Sequence, residues 1–301
     1  MSGFSSADGT RLAYHLEGEG EPLVCLPGGP MRASAYLGDL GGLAAHRRLV
    51  KLDLRGTGGS AVPADRTTYR CDRQVDDVEG LRLHLGLERI DLLAHSAAGD
   101  LAILYAARHP ERVRSLVLLT ARGRALGVDF TTGHRLEAAG LRTAEPWYPR
   151  ARPAFDALWS GTADDEDFDA AAPFFYGRWD DAARAHAAVE AGQTNEEAAA
   201  LYASPAAFDP SATREAIASL NAPVLVVAGE LDSGPLPRIA AEIAALFPNA
   251  RLDVVPAAGH FPWLDAPARL RRSITDFLAP AESAVPPHDH GIALDGPGDE
   301  T

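Results

Sequence analysis

The sequence has no run of eighteen apolar residues, and its only cysteines are Cys25 and Cys71. The first absence argues against a membrane-spanning helix. The second argues against a disulfide framework and is typical of a reducing compartment. The N-terminal residues also lack a basic region followed by an apolar stretch, so they do not resemble a secretory signal peptide. We therefore expect a cytoplasmic protein.

Basic residues are scarce, since 28 Lys and Arg stand against 42 Asp and Glu, a formal net charge of −14. Nucleic acids and anionic membranes bind clustered positive charge, so neither is expected as a partner. Hydrophobic residues make up 46% of the 301 positions, enough for a sizeable core. Neither cysteine has the surroundings of a metal site, and Cys25 lies in an apolar run that indicates a core position.

Short apolar segments rich in β-branched residues recur between helical patterns. They span residues 23–26, 49–54, 90–93, 113–119, 224–227 and 252–255. Each is too short for a helix, and continuous apolar runs suit strands that are covered on both faces. Strands that alternate with helices predict an α/β fold with a mostly parallel sheet and right-handed crossovers.

The alternation stops between about residues 122 and 220, where alanine-rich, acidic and aromatic stretches show no strand pattern. We interpret 122–218 as a helical cap inserted over one end of the sheet. Residues 1–121 and 219–280 then form the core. Residues 281–301 contain few large apolar side chains and are expected to be a disordered tail.

A candidate nucleophile, Ser96, follows the apolar run at 90–93 after Ala94 and His95, and a helical pattern comes next. On such a sharp turn the serine hydroxyl projects beyond the strand end. The neighbours two positions before and after must be small, and here they are Ala94 and Ala98. A plain strand–helix turn is the alternative, because a serine followed three residues later by Gly99 is common in loops.

A serine hydroxyl needs a general base, which in turn needs an orienting acid. His260 follows the predicted strand at 252–255 on a turn that contains glycine. Asp232 follows the predicted strand at 224–227, with Glu230 as the alternative acid. A loop histidine bonded only to backbone is the alternative for His260. A nucleophile, an acid and a base at three strand ends predict a catalytic triad.

Acyl transfer also requires backbone N–H donors for the developing oxyanion. The amide of Ala97, next to the serine, is one candidate. The other lies in the Pro-Gly-Gly-Pro segment 27–30, where glycine permits close approach to a substrate carbonyl. We predict the amide of Gly29, with Gly28 as the alternative. An ordinary glycine–proline turn is the structural alternative for this segment.

Taken together, these motifs resemble α/β-hydrolase fold enzymes of the proline iminopeptidase type. Residues 27–30 are similar to the family's His-Gly-Gly-Pro oxyanion loop, and residues 53–60 (DLRGTGGS) are similar to its D-x-R-G-x-G-x-S turn. The order serine, aspartate, histidine along the chain is also the family's order. The resemblance implies a parallel sheet flanked by helices, an inserted helical cap, and serine chemistry without a metal or organic cofactor.

The chain departs from the family pattern at several positions. Pro27 stands where the family usually has histidine, and Ala94 and Ala98 replace glycines. Ala97 stands where proline iminopeptidases often have tryptophan. These changes leave the triad pattern intact and weaken the match to the peptidase subtype.

The cap contains candidate substrate-binding residues. In proline iminopeptidases, cap carboxylates bind the free amino end of the substrate, and Trp179 with Asp180 resembles the family's Trp-Glu pair with a shorter acid. Glu196 and Glu197 are further candidates. The alternative is that these acids face water and that Trp179 packs against the core.

The predicted function is that of a serine hydrolase, which cleaves an ester or amide bond of a small molecule or short peptide through an acyl-enzyme. The resemblance implies an aminopeptidase-like enzyme. An alternative is a carboxylesterase, thioesterase or lactonase that acts on a small acyl substrate. An alternative from another class is a non-catalytic homologue that binds a ligand. The oligomeric state is left open.

Overall fold

The computed structural model describes residues 2–279, in which eight strands form one mixed sheet. The strands are β1 (Ser2–Ser5), β2 (Arg11–Glu17), β3 (Pro22–Leu26), β4 (Arg48–Leu52), β5 (Ile90–His95), β6 (Val113–Leu119), β7 (Val224–Gly229) and β8 (Ala250–Val255). Their order across the sheet is β1-β2-β4-β3-β5-β6-β7-β8. β2 runs antiparallel to both neighbours, and all other neighbouring strands are parallel. The predicted α/β class is confirmed; the predicted tail at 281–301 lies outside the described residues.

The six apolar segments of the sequence correspond to β3 through β8. The antiparallel pair β1 and β2 is not predicted by such runs, because its side chains are mixed. In β2, Leu12 and Tyr14 are buried, whereas Arg11 and Leu16 are exposed. Strands near a sheet edge need no continuous apolar run, since one face can remain in contact with solvent.

The central strands are buried on both faces. Every residue of β5 and of β7 is buried. Successive side chains point to opposite faces of a sheet, and accordingly Leu92 and Leu93 belong to two different apolar clusters. Burial of one such side chain contributes about 1.5–3 kcal/mol. Cys25 lies in the second cluster, and burial raises the pKa of its thiol to about 12, as expected of a core residue.

Within residues 2–279, five α-helices lie outside the segment that joins β6 to β7: α1 (Val75–His84), α2 (Ala98–Arg108), α10 (Pro237–Ala244), α11 (Pro262–Asp265) and α12 (Pro267–Leu278). Asp72 is of a residue type that commonly caps helices, but the residue that precedes α1 is Gln74. Asp72 instead lies in a 3-10 turn, Cys71–Arg73, and its carboxylate accepts hydrogen bonds from Arg70.

The segment between β6 and β7 is helical within the described chain. It contains α3 (Thr132–Gly140), α4 (Tyr148–Ser160), α5 (Asp165–Ala171), α6 (Asp181–Ala187), α7 (Glu190–Gln193), α8 (Glu196–Tyr202) and α9 (Pro210–Ile217). Part of it has a small apolar cluster of its own around Phe155 and Phe174. No helix within residues 2–279 is both long enough and apolar enough to span a membrane.

Candidate active site

Ser96 lies on a tight turn between β5 and α2. Its φ of 54° is in the left-handed region, which non-glycine residues rarely adopt. Three hydrogen bonds hold the residue there: its N–H donates to Leu119 O at 3.1 Å, and its carbonyl accepts from Gly99 and Arg122, each at 2.9 Å. A Cβ on Gly99 would lie 2.6 Å from Ala121 Cβ, so this position requires glycine. The helix can therefore leave the strand immediately after the serine.

The three residues predicted as a triad lie together at the carboxyl ends of parallel strands. Ser96 Oγ is 2.8 Å from His260 Nε2, and His260 Nδ1 is 3.0 Å from each carboxylate oxygen of Asp232. A carboxylate can only accept, so Nδ1 carries the ring proton and Nε2 accepts from the serine hydroxyl. This is the tautomer in which the histidine can take the serine proton.

The acid is held in place by its own loop. Asp232 has no exposed surface, and Oδ1 accepts a hydrogen bond from Gly234 N at 2.8 Å. The alternative acid, Glu230, accepts instead from Ala257 N at 2.8 Å and does not contact the histidine ring by a hydrogen bond. The geometry therefore brings Asp232, rather than Glu230, to His260.

Several contacts fix the backbone of His260. Its carbonyl oxygen accepts from Thr120 Oγ1 and from the ring of His95, each at 3.0 Å. Its N–H donates to the carbonyl of Phe175, a cap residue, at 2.7 Å. One carboxylate oxygen of Asp265 accepts from both Gly259 N and the cap residue Gly177, each at 2.9 Å. The histidine loop is thus attached to core and cap together.

The two predicted oxyanion donors are the amides of Gly29 and Ala97. Within the described residues, neither amide donates to another group, whereas Gly28 N donates to Tyr36 Oη at 2.6 Å. A Cβ on Gly28 would lie 2.8 Å from Ser96 Cβ, so the loop packs directly against the nucleophile turn. The geometry therefore favours the amide of Gly29 over that of Gly28 as the second donor.

Tyr36 and His95 connect the oxyanion loop to the histidine loop, and sequence patterns did not reveal this. Tyr36 Oη accepts from Gly28 N and lies 2.7 Å from His95 Nδ1. His95 Nε2 bonds to a carbonyl oxygen, that of His260, so this nitrogen carries the proton and Nδ1 accepts from the tyrosine. Burial and the neighbouring His260 hold the pKa of His95 well below its usual value, so the ring is neutral.

His186 joins this network from the cap. Its Nε2 lies 3.1 Å from the carbonyl oxygen of Tyr36, and its Nδ1 lies 2.8 Å from Tyr176 Oη. Burial lowers the pKa of His186 to about 4, with nearby Arg32 contributing. The neutral ring therefore donates to the core and accepts from the cap. No spacing in the sequence indicates this role, because the partners are far apart along the chain.

The predicted substrate residues of the cap have other partners. The carboxylate of Asp180 caps α6 by accepting from Ala183 N at 3.0 Å and forms an ion pair with Arg178 at 2.9 Å. Trp179 lies beside the ring of Tyr176, with centroids 5.4 Å apart. Within residues 2–279, no hydrogen bond or ring contact joins Trp179 or Asp180 to the triad. Their role in substrate binding stays a prediction.

The two further acids also face local surroundings. Glu196 and Glu197 are exposed in the first turn of α8, and Glu197 lies 3.4 Å from Arg66. Across residues 2–279, no group of three or more His, Cys, Asp or Glu side chains is arranged to hold a metal ion.

The fold and the three strand-end residues define a class of protein, and comparison with known proteins gives the same class. Residues 21–267 match the model of the alpha/beta hydrolase fold family, and the chain belongs to this family. It is 30% identical over 289 residues to a 2-hydroxymuconate semialdehyde hydrolase of Pseudomonas sp. (strain CF600), covering 93% of this chain and 94% of the relative. The resemblance found in the sequence is confirmed, and the chain is a hydrolase.

Two further relatives differ in activity. A proline iminopeptidase of Heyndrickxia coagulans is 25% identical over 92% of this chain and 98% of its own length. An esterase from Rhodococcus sp. ECU1013 superposes with a TM-score of 0.70 at 24% identity, over 92% of this chain and 97% of that structure. At that identity, the structural match supports the fold alone.

Proposed function

We propose that this hydrolase cleaves an ester or amide bond of a small substrate through an acyl-enzyme formed on Ser96. The observation that carries the proposal is the continuous hydrogen-bonded series from Ser96 Oγ through the His260 ring to Asp232, at 2.8 and 3.0 Å. A nucleophile within reach of a base that is itself oriented by a buried acid is the arrangement that nucleophilic catalysis needs.

In the first half-reaction, Ser96 Oγ attacks the carbonyl carbon while its proton passes to His260 Nε2. The carbonyl oxygen becomes an oxyanion and accepts from the amides of Gly29 and Ala97. The buried carboxylate of Asp232 stabilises the imidazolium. When the tetrahedral intermediate collapses, His260 returns the proton to the leaving group and the acyl group stays on the serine.

In the second half-reaction, His260 takes a proton from water, which attacks the acyl carbonyl. A second oxyanion forms in the same place. Its collapse breaks the bond to Ser96 Oγ, which regains the proton from His260, and the carboxylic acid product leaves. The chain's own side chains supply every proton transfer in this sequence.

Among substrates, the contacts in the cap favour an ester over a peptide with a free amino end. An amine-binding acid should direct its carboxylate toward the substrate, but Asp180 already caps a helix and pairs with Arg178. We therefore propose carboxylesterase-type activity on a small acyl substrate first. The aminopeptidase activity that the resemblance implies is the second candidate, because a relative of nearly equal length is a proline iminopeptidase.

The proposal is tested by steady-state hydrolysis with wild type and Ser96→Ala in parallel. The substrates are acyl nitrophenyl esters, together with prolyl and alanyl nitroanilides with free or blocked amino ends. We expect ester turnover that falls by about 10⁴-fold or more in Ser96→Ala. Cleavage of the free-amine anilides alone would support the aminopeptidase instead.

A fluorophosphonate probe distinguishes an enzyme from a non-catalytic ligand-binding homologue. An activated serine is labelled, and the modified peptide should contain Ser96, with no labelling of Ser96→Ala. Unchanged turnover in Ser96→Ala, or labelling at a different serine, would show that the assignment is wrong.

A further inference from the structure

A small cavity lies between the segments that follow β6 and β7 and the first helices of the cap. Its walls include three arginines, Arg122, Arg124 and Arg135, together with Trp159 and Gly234. Its volume is about 20 Å³. This is space for a water molecule or for one carboxylate group, and too little for a whole substrate.

The cavity walls present hydrogen-bond donors that lack acceptors. Among the described residues, the buried Arg135 Nε and Trp159 Nε1 have no partner. The side chain of Arg122, which is half-buried, forms no hydrogen bond or ion pair with another of these residues. Each of these groups can only donate. Buried donors are normally satisfied. An occupant with several acceptor atoms therefore fits this cavity better than an apolar group does.

The arginines also bring positive charge together in a protein whose formal net charge is −14. Burial lowers the pKa of Arg122, and the neighbouring Arg124 contributes; the same two causes lower the pKa of Arg135. Acids also lie near these arginines, and the carboxylates of Asp100 and Asp232 favour the charged form of Arg122. Asp129 is 3.6 Å from Arg124 and largely exposed, and Asp100 accepts from the backbone of the following turn.

Arg135 is held in position by the cap. Its guanidinium lies 3.9 Å from the centroid of the Trp159 ring, and its terminal nitrogens donate to the carbonyls of Trp159 and Phe130 at 3.3 and 3.4 Å. These contacts orient the side chain but leave Nε free to donate. A preorganised arginine loses less conformational entropy when it binds a planar anion.

Two direct bonds connect the cavity wall to the catalytic residues. The N–H of Arg122 donates to the carbonyl oxygen of Ser96 at 2.9 Å. The N–H of Gly234 donates to the carboxylate of Asp232 at 2.8 Å. The wall of the cavity is therefore directly attached to the turn that carries Ser96 and to the loop that carries Asp232.

We propose that the cavity is a subsite for a carboxylate carried by the substrate, held by Arg122 and Arg135. The inference rests on the proposed function, because it places the carboxylate on a molecule that Ser96 cleaves. Arginine binds carboxylates through two parallel hydrogen bonds, which also orient the bound molecule. The preferred substrate is then an ester of a small molecule that bears a second, free carboxylate.

The kinetic test compares substrates that differ only in charge. 4-Nitrophenyl hemiglutarate and 4-nitrophenyl pentanoate have acyl chains of equal length, with and without a carboxylate. 4-Acetoxybenzoate and 4-acetoxybenzamide differ in the same way in the leaving group. In at least one pair, we expect kcat/KM for the anionic member to exceed that for the neutral member by about tenfold or more, mainly through a lower KM.

Arg122→Gln and Arg135→Gln should each remove this preference, so that kcat/KM becomes equal for the anionic and the neutral member of the pair. Arg122→Lys should restore part of it, since the charge is kept without the bidentate geometry. The matched control is Arg152→Gln on the cap, whose guanidinium pairs with Asp156 outside the cavity. Equal kcat/KM for both members of both pairs, or a preference that survives both glutamine variants, would overturn the subsite.

Direct binding separates failure of the subsite from failure of the proposed function. Calorimetry with Ser96→Ala should show saturable binding of glutarate, lost in Ser96→Ala/Arg122→Gln, and no binding of pentanamide. If no ester is hydrolysed in a Ser96-dependent way while glutarate binds as described, the proposed function fails and the anion site stands. If the neutral ester is hydrolysed but glutarate does not bind, the subsite fails and the triad stands.

Discussion

At the scale of single residues, the site depends on side chains that never touch the reacting atoms. Tyr36 and His95 form a series of hydrogen bonds from Gly28 N to the carbonyl oxygen of His260, with distances of 2.6, 2.7 and 3.0 Å. Gly28 N is thereby satisfied, and the neighbouring amide of Gly29 stays available. These two residues act as positioning residues, because they hold the oxyanion loop and the histidine loop at a fixed separation.

Tyr36→Phe should lower kcat about tenfold and leave KM nearly unchanged. The substitution leaves Gly28 N and His95 Nδ1 unpaired, so the oxyanion loop loses its support. We also expect the free energy of unfolding to fall by about 1–3 kcal/mol, the cost of unsatisfied buried polar groups. Steady-state kinetics and urea unfolding measure the two effects.

The control for this variant is Tyr148→Phe on the cap, where the hydroxyl bonds to Arg152 at 2.9 Å. It should leave kcat as in wild type. If Tyr36→Phe reduces stability but keeps the wild-type kcat, the network is structural and does not position the catalytic loops.

At the scale of elements, the cap is attached to the oxyanion loop by an arginine and by backbone pairing. Arg32 is almost fully buried and donates to Gln193 Oε1 at 2.9 Å and Glu190 at 3.1 Å. Beside it, Ala33 N donates to Gln193 O at 2.9 Å, and Asn195 N donates to Met31 O at 3.0 Å. Any displacement of α7 is therefore transmitted to the loop that carries Gly29.

Arg32→Met keeps the length of the side chain and removes its hydrogen bonds. The segment beside the oxyanion loop then loses its side-chain hydrogen bonds to α7 and keeps only the backbone pairing. We therefore expect kcat to fall about 10–100-fold, less than the roughly 10²–10³-fold that follows loss of an oxyanion donor itself. KM for a small neutral ester should change little. Stopped-flow hydrolysis resolves acylation from deacylation, and both steps should slow because both form an oxyanion.

Arg66→Met is the matched control, because Arg66 is an exposed arginine that also pairs with the cap, at Glu197. An exposed ion pair contributes about 0–1 kcal/mol, so its loss should not affect kcat. Equal kinetic effects in the two variants would show that cap attachment in general, and not the oxyanion loop, is responsible.

At the scale of the whole molecule, a buried carboxylate affects stability. Asp100 in α2 is buried and accepts from Ala125 N at 2.9 Å. Burial raises its pKa from 3.8 to about 6, although the nearby arginines favour the charged form. The folded protein therefore holds this proton more tightly than the unfolded chain does. The stabilisation that this tighter proton binding gives the folded state is complete below about pH 4 and is lost as the pH rises through about 6.

Asp100→Asn should remove this pH dependence and keep the bond from Ala125 N. We expect the free energy of unfolding of the variant, relative to wild type, to rise by up to about 3 kcal/mol between pH 4 and pH 7. Urea unfolding at several pH values measures the difference. Asp39→Asn, at an exposed position, is the control. If the free energies of unfolding of Asp100→Asn and wild type differ by the same amount at every pH, the prediction is wrong.

The positions of six strands along the chain and the candidate triad could be predicted from the sequence because both depend on local patterns. Apolar runs identified β3 to β8. Because the carboxyl ends of parallel strands meet at one edge of the sheet, the polar residues that follow these strands were expected to lie close together. The hairpin of β1 and β2 was not predicted, because its mixed side chains leave no apolar run. The roles of Trp179 and Asp180 stay predictions, since neither residue contacts the triad.

Local patterns along the chain were enough to predict the family, the fold class and the three strand ends at which Ser96, Asp232 and His260 lie. Only the tertiary structure decided which neighbouring groups have free hydrogen-bonding capacity. In the folded chain, Asp232 rather than Glu230 bonds to His260, and the amide of Gly28 rather than that of Gly29 donates to Tyr36. Three arginines from separate segments line one cavity. The physical reason is that hydrogen bonds form over about 3 Å. At that distance, packing between segments remote in sequence determines each partner.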